Sequence, residues 1–360
     1  MKQIRFDIET LTPTFMSGGD QGEFELRPPS FKGMMRFWWR AYFWGKNSGT
    51  ITHQDIEKEE GKIFGTASAK RQQKSGFSIQ ITKADKQAVK SPFPKYNVQA
   101  SSGGRTFPIN VLEYLAYGTF EYQKGKNVFI REYLPVNSSS SVTLNISDES
   151  VEEDVIISFY LLAVCGGIGA KSRNGFGNFF IRKIAIENPE ILGNLNLSFP
   201  FPKTDFLEKV VKNNNLPSFT AFSKKMKFFK LKQSCKTWDE CLGRLGEIYR
   251  TGKLNLDEPH TCEKRQYIAS PITSQKYVGG RNRIYDQSFL ERHAKPYFLK
   301  VVQTKGGFDG YILYLPSRYC EGLEKDRNNN CIPTDADEKF KKYCDEFNGY
   351  LAKEMEICYP

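Results

Sequence analysis

From Lys2 to Thr12 the chain alternates, with Ile4, Phe6 and Ile8 on one side and Arg5, Asp7 and Glu9 on the other, which is the two-residue period of a half-buried strand. A turn-rich stretch from Pro13 to Pro29 follows, and Ser30 then stands where it can cap a helix over about Phe31 to Trp44. Phe77, Ile79 and Ile81 alternate in a second strand, and Val142, Leu144 and Ile146 in a third behind the polar tract Ser138-Ser139-Ser140-Ser141. Asp148 or Ser150 can open the next helix, which runs through Ile156, Phe159, Tyr160 and Ala163, and Phe179 to Ile186 supplies a fourth strand. The order is βαββαβ, the ferredoxin-like split βαβ arrangement in which two helices cover one face of an antiparallel sheet. About 84–141, between the second and third strands, is a long insertion with its own helix near Ile109 to Tyr117.

Residues 188–218 contain four prolines and the run Asn213-Asn214-Asn215, and they read as a linker with one short helix near Phe206 to Val211. Past it, the pattern predicts a strand within Phe219 to Lys232 and a helix over Trp238 to Tyr249. A hairpin of Tyr297 to Thr304 with Tyr311 to Leu315, turned at Gly306 to Gly310, and a final helix over about Asp337 to Met355 complete the half. That sequence of elements is βαββα. The fold class is therefore α+β, with two ferredoxin-like domains at 1–187 and 219–360, the second incomplete or divergent because its last strand is missing. The repeat is one of element order, not of residue identity.

A chain of 360 residues with 39% hydrophobic and 14% aromatic content can bury substantial cores and is not expected to be disordered. Its 52 basic and 41 acidic side chains give +11. The stretch from Glu321 to Pro360 holds ten acids and six bases, so the residues before it carry +15. A basic body implies nucleic acid, an acidic partner or a membrane surface. No apolar run approaches the roughly 20 residues of a spanning helix, and the expectation is a soluble, cytoplasmic protein with no membrane partner. The eight cysteines show no CxxC pair and no zinc spacing, so they read as reduced, small hydrophobes. No cofactor and no metal site is implied.

Two segments carry the candidate chemistry. Gly166 to Gly177 packs five glycines with Lys171, Ser172, Arg173 and Asn174 between an apolar run and a strand. Glycines at 169 and 175 would allow positive φ and close approach of N–H groups to a phosphate, Lys171 and Arg173 would add charge, and Phe176 offers a ring for stacking. The same loop would also serve as a plain helix-to-strand connection. Its order, helix then glycines then strand, sets it apart from the dinucleotide fingerprint and the NTPase loop. In Ser30 to Tyr42, helical spacing places Lys32, Arg36 and Arg40 on one face with Trp39 adjoining, and cations interleaved with rings suit single-stranded RNA. A solvated cationic face and a core tryptophan are the alternatives there. Arg281 and Arg283, beside Gly279-Gly280, form a third basic stretch that is equally a solvated loop.

Catalytic constellations are scarce. His53, His260 and His293 are the only imidazoles, and none sits in a metal-ligand pattern. Asp7, Glu9 and Asp20 are explained by strand polarity and turn chemistry.

The glycine loop after the second helix resembles the mark of the RAMP superfamily of CRISPR-associated proteins. More narrowly, Leu11 to Phe15, Gly18-Gly19-Asp20, Glu25 to Gly33 and Arg36-Phe37-Trp38-Trp39-Arg40 are similar to the first-subunit family of the Cmr module, the type III-B effector; Arg265 to Pro271 and Tyr311 to Pro316 look like its second half. The resemblance implies two ferredoxin-like RAMP domains and a non-catalytic RNA-binding subunit within a complex that carries a guide RNA and captures a target RNA. It also implies a place near the guide's 3′ end beside the fourth and sixth Cmr subunits. Two other readings stay open: a metal-independent endoribonuclease acting on guide precursor RNA, with His53 as the candidate imidazole, and a protein scaffold without direct RNA contact.

Overall fold

A computed structural model of the chain describes residues 2–49, 51–68, 71–102, 104–195, 197–257, 263–269, 273–278, 281–287, 293–319 and 334–359, with the backbone alone at Ser68, Arg71, Ser102, Ala269, 273–278 and 281–287. The N-terminal half is built on β1 (Lys2–Thr10), α1 (Pro28–Lys46), α2 (His53–Phe64), β2 (Phe77–Ile81), β3 (Ser139–Ile146), α3 (Glu152–Val164) and β4 (Phe179–Ile186). Its sheet has the order β4-β1-β3-β2, every neighbouring pair antiparallel. The alternation of β1 settles its sides: Ile4, Phe6 and Ile8 are buried, and Phe6 stacks on Phe159 of α3 with ring centroids 4.2 Å apart. Arg5 and Asp7 lie on the opposite face, where they pair at 2.8 Å.

Several boundaries differ from the sequence reading. Helix α1 starts at Pro28, where proline at the first helical positions needs no N–H partner, and Ser30 lies inside its first turn and is not the cap. Helix α2 has no counterpart in the reading above, although Thr52 and Asp55 form a reciprocal capping box at its start. The insertion holds a helix at Val111–Leu115 and also two strand pairs, Asn97–Ser102 with Arg105–Asn110 and Phe120–Gln123 with Lys126–Phe129.

The C-terminal half consists of α4 (Thr204–Val210), β5 (Lys227–Lys230), α5 (Trp238–Leu254), β6 (Tyr297–Thr304), β7 (Gly307–Tyr314), α6 (Ala336–Glu354) and β8 (Glu356–Tyr359). Its sheet order is β6-β7-β5-β8, again antiparallel throughout. The expectation that this half lacks its last strand is corrected by β8, which pairs with β5 through Phe228–Tyr359 and Phe229–Ile357. Four residues at the end of a chain are too short for a periodic signal. The hairpin turn is also tighter than expected, because β7 begins at Gly307 rather than Tyr311.

Helix α3 decides how the halves meet. It is buried along almost its whole length, including Val155, Ile156, Ile157, Phe159, Tyr160, Leu161 and Leu162, so no side of it is left for water. One side lies on the N-terminal sheet. The other, together with α1, is covered by the C-terminal sheet, whose alternate residues Phe298, Val302 and Leu313 join the N-terminal core while Tyr297, Leu299 and Val301 join the core under α5 and α6. Trp38 of α1 meets Phe298 at 5.4 Å between centroids. The result is a stack of sheet, helices, sheet and helices.

Polar pegs cross this seam. Lys300 on β6 is buried, and its Nζ donates to the carbonyls of Ala163 (2.6 Å) and Gly166 (2.8 Å) at the C-terminal end of α3. A cation there satisfies carbonyls that lack helical partners and meets the negative end of the helix dipole. Asn178, also buried, donates from Nδ2 to Gly166 O (3.0 Å) and accepts from Val301 N at Oδ1 (2.7 Å). Hydrogen bonds with one charged partner contribute about 1.5–3 kcal/mol each, enough to orient two sheets whose apolar contact is non-directional.

Burial lowers the pKa of Lys300 from 10.5 to about 7. A lysine depressed in the folded state costs stability wherever the unfolded chain would hold the proton, so its penalty is full below pH 7, shrinks as pH rises and vanishes above 10.5. The unfolding free energy of the native chain relative to Lys300→Met should therefore move in the native chain's favour between pH 7 and 10.5, by at most about 1.4 kcal/mol per pH unit. Urea titrations across that range that give a flat difference would show that Lys300 does not titrate there. Gly177 supplies a second check: its φ is +67° and an added Cβ would stand 1.8 Å from Ile168 O. Gly177→Ala should lower stability by at least about 2 kcal/mol, read from the denaturation midpoint.

Candidate nucleic-acid interface

The face of α1 that carries Lys32, Arg36 and Arg40 is turned to α2, not to open solvent. Glu60 of α2 accepts both arginines, at 3.2 Å from Arg36 Nε and 3.1 Å from Arg40 Nε. Arg36 also donates to the carbonyls of Phe64 (3.3 Å) and Gly65 (3.0 Å), where α2 ends. Burial raises the pKa of Glu60, with Arg40 and then Arg36 opposing it. Lys32 is half-buried with Nζ 5.0 Å over the Phe77 ring, and burial followed by Arg36 lowers its pKa. A phosphate would have to displace Glu60, whose side chain is only 16% exposed, at a cost on the order of 1–3 kcal/mol. The aligned cations thus hold two helices together.

Trp39 is 1% exposed; it stacks on Phe43 at 4.8 Å and donates from Nε1 to Asp154 Oδ1 at 2.9 Å. Phe176 is fully buried between Phe15 (5.6 Å) and Phe93 (5.5 Å). Neither ring has a face for a base, which corrects the stacking role expected of both.

The glycine loop does bring backbone into close approach, but to its own chain. Gly169 has φ +78°, and a Cβ there would lie 2.0 Å from Phe15 O, the carbonyl that accepts from Ala170 N at 2.7 Å. Gly175, at φ +87°, stands against Leu242 of α5, 2.4 Å from the position of a Cβ. Ser172 begins a single 3-10 turn and its carbonyl accepts from Gly175 N at 3.2 Å. Arg173 is a further correction. Its Nη1 donates to Lys295 O, its Nη2 to Thr220 Oγ1 at 3.1 Å, and the guanidinium lies over Phe298 (4.5 Å) and Phe37 (5.2 Å). Burial pulls its pKa to about 10, so it stays charged at neutral pH while both terminal nitrogens are engaged across the seam.

Lys171 is the cation of the loop that remains available. It is half-buried at φ +61°, makes no ion pair among the described residues, and lies near enough to Arg131 for that charge to add to burial in lowering its pKa. Next to Ala170, its neighbour in the chain, opens a cleft of about 350 Å³ between the first turns of α1 (Ser30, Gly33, Met34) and the loop (Gly169, Ala170), with Arg131 on its wall. Arg131 donates to Gln21 Oε1 at 3.0 Å and likewise has no ion pair among the described residues. Glu132, the acid of the wall, is occupied by Phe24 N at 3.0 Å. Helix α1 and the glycine loop therefore do converge, through different residues from those expected. Arg131 was missed because Phe129 to Tyr133 has no distinctive spacing.

Arg281 and Arg283 belong to a strand, Arg281–Gln287, that pairs with Thr273–Val278, and their side chains lie outside the described residues, as do Gly279, Gly280 and His260. His53 is exposed at the start of α2, 3.3 Å from Ser218 Oγ. His293 is held near 4 by burial and then by Arg173, hence neutral at pH 7. Asp20 accepts from Gly22 N at 2.7 Å in a local turn.

The sequence profile of the RAMP superfamily matches residues 7–179, the stretch that contains α1 and the glycine loop. CRISPR system Cmr subunit Cmr1-2 of Pyrococcus furiosus is 31% identical over 195 residues, which are 51% of this chain and 97% of that protein. The chain belongs to the RAMP superfamily. Cmr subunit Cmr1-1 of the same organism is 29% identical over 204 residues, covering 56% of this RAMP chain and 53% of that one. The crystal structure of Cmr1 from Pyrococcus furiosus in its apo form superposes with a TM-score of 0.57 at 20% identity, covering 99% of this chain and 98% of the other, which establishes a shared fold. Among the described residues no helix is long and apolar enough to cross a membrane.

Since Trp39 and Phe176 are core rings, Trp39→Phe and Phe176→Leu should each lower stability by about 1–3 kcal/mol and leave RNA affinity unchanged. Paired denaturation and fluorescence-anisotropy measurements check this, and a folded variant that loses RNA would restore the stacking role.

Proposed function

We infer that the protein is an RNA-binding subunit of a type III-B CRISPR effector, the Cmr complex, without a catalytic step of its own. The observation that carries this is the cleft between the first turns of α1 and the glycine loop, with Arg131 on its wall and Lys171 next along the loop from Ala170; among the described residues neither cation has an ion-pair partner. Membership of the RAMP superfamily and the likeness to Cmr1 subunits support it. Unpaired cations on the wall of a cleft attract a polyanion and release its counterions, which makes binding fall with salt. On this reading the RNA is the guide near its 3′ end, or the target paired to it, and the partners are other Cmr subunits, the fourth and sixth among them. The 1–187 and 219–360 division is proposed as two ferredoxin-like domains, joined so tightly at α1 and α3 that they act as one body.

Replacing Arg131 and Lys171 together by alanine should weaken binding of a labelled single-stranded RNA and lower the slope of log affinity against log salt by about 0.7 per lost contact. Unchanged affinity and slope in a folded double variant would overturn the reading. Crosslinking the assembled complex to its RNAs reports the strand and the position.

A further inference from the structure

The unpaired charge does not end at the cleft. Lys171 Nζ lies beside the insertion, 3.7 Å from where a Cβ on Gly118 would stand, and the neighbouring Tyr117 is 74% exposed. On the other side of the loop Lys295 holds its Nζ buried without a hydrogen-bond partner, 4.4 Å from the centroid of Tyr249. Lys253 of α5 shares that ring at 5.2 Å and stands 5.5 Å over Tyr114, and Arg250 lies 5.9 Å over Tyr114. Among the described residues, none of Lys171, Arg250, Lys253 and Lys295 has an ion pair.

The acids nearby are turned elsewhere. Glu113 accepts from Asn127 at 2.6 Å, Glu247 from the Tyr96 hydroxyl at 2.9 Å, and Glu240 pairs with Arg244 at 2.7 Å. Burial, and after it the charges of Lys253, Arg173 and Lys171, pull Lys295 well below the usual lysine range. Like charges held together in this way carry a repulsive cost that an anion set among them would remove. The scaffold beneath is fixed: Asn174 donates to Leu115 O at 2.6 Å, and Gly246 of α5 lies against Leu115, whose Cδ1 would be 2.7 Å from an added Cβ.

Resting on the RNA-binding reading, we propose that Arg131, Lys171, Lys253 and Arg250 form one phosphate track that leads a single strand of RNA from the cleft, across the glycine loop, onto α5, with Tyr117 as a platform for one base. Three separate parts of the chain build it: the insertion, the loop and the C-terminal half. A single strand is specified because an exposed tyrosine between cations can stack only on an unpaired base.

The test uses the full chain and a fluorescein-labelled single-stranded RNA oligonucleotide, with anisotropy titrations at several salt concentrations. Arg250→Gln with Lys253→Gln should lower the salt slope by about 1.4, at about 0.7 for each of two contacts. Tyr117→Ala should weaken binding roughly fivefold or more with the slope unchanged, and should have no effect on the same oligonucleotide annealed to its complement. If the glutamine pair melts early, Arg250→Gln and Lys253→Gln made singly serve instead, each expected to lower the slope by about 0.7. An unaltered slope in a folded glutamine pair, while the Arg131 and Lys171 variant loses RNA, ends the track at the loop and overturns this proposal alone. Silence of both pairs overturns the RNA-binding reading itself. Loss of binding to other Cmr subunits with RNA binding intact would mark α5 as a protein-docking face and also overturn the track.

Discussion

A helix without a polar side must be covered all round, and α3 imposes that requirement on the rest of the molecule. The N-terminal sheet covers one side through contacts such as Phe6 on Phe159, and the C-terminal sheet covers the other by presenting Phe298, Val302 and Leu313 to the same core. Apolar contact alone would let the two sheets slide. Lys300 on the carbonyls of Ala163 and Gly166, Asn178 between Gly166 and Val301, and Arg173 between Lys295 and Thr220 set the register, because hydrogen bonds are directional and costly to leave unmade when buried.

The glycine loop leaves α3 at this seam, which explains its composition without a ligand. Its backbone has to pass between Phe15 on one side and Leu242 on the other with no room for a side chain at Gly169 or Gly175, and four of its residues, Gly169, Lys171, Gly175 and Gly177, take left-handed conformations. On the proposed RNA-binding reading the loop's part is indirect. Gly169 and Ala170 line the edge of a cleft with Lys171 next in the chain, while the loop's arginine and phenylalanine maintain the packing behind it.

Charge on this chain is divided by the same logic. The +11 excess counts every cation equally, whereas the fold sorts them by neighbour. Glu60 pairs with Arg36 and Arg40, and Lys32 lies over Phe77. Among the described residues Arg131, Lys171, Arg250 and Lys253 make no ion pair, and they lie up to 122 residues apart in the chain. An attractive surface for a polyanion is made of what remains after internal pairing.

Local pattern determined a great deal. The strands at β1, β2, β3 and β4, the helices at α1, α3, α5 and α6, and the hairpin of β6 and β7 are legible because alternation and helical spacing record which side of each element is buried. The apolar run of α3 was legible as a helix, but that its second side is covered by the C-terminal sheet came only with the structure. Helix α2 escaped because most of its residues are polar and only Ile56, Ile63 and Phe64 are large and buried, and β8 because it has four residues. What only the tertiary structure decided is which side chains face each other. Trp39 and Trp38, or Arg173 and Lys171, are equivalent as letters in a motif, yet the arginine is buried against Lys295 and Thr220 while the nearby lysine reaches the insertion beside Gly118. Periodicity reports burial along one element, whereas partnership depends on contacts between residues distant in the chain, and those exist only once the elements have packed.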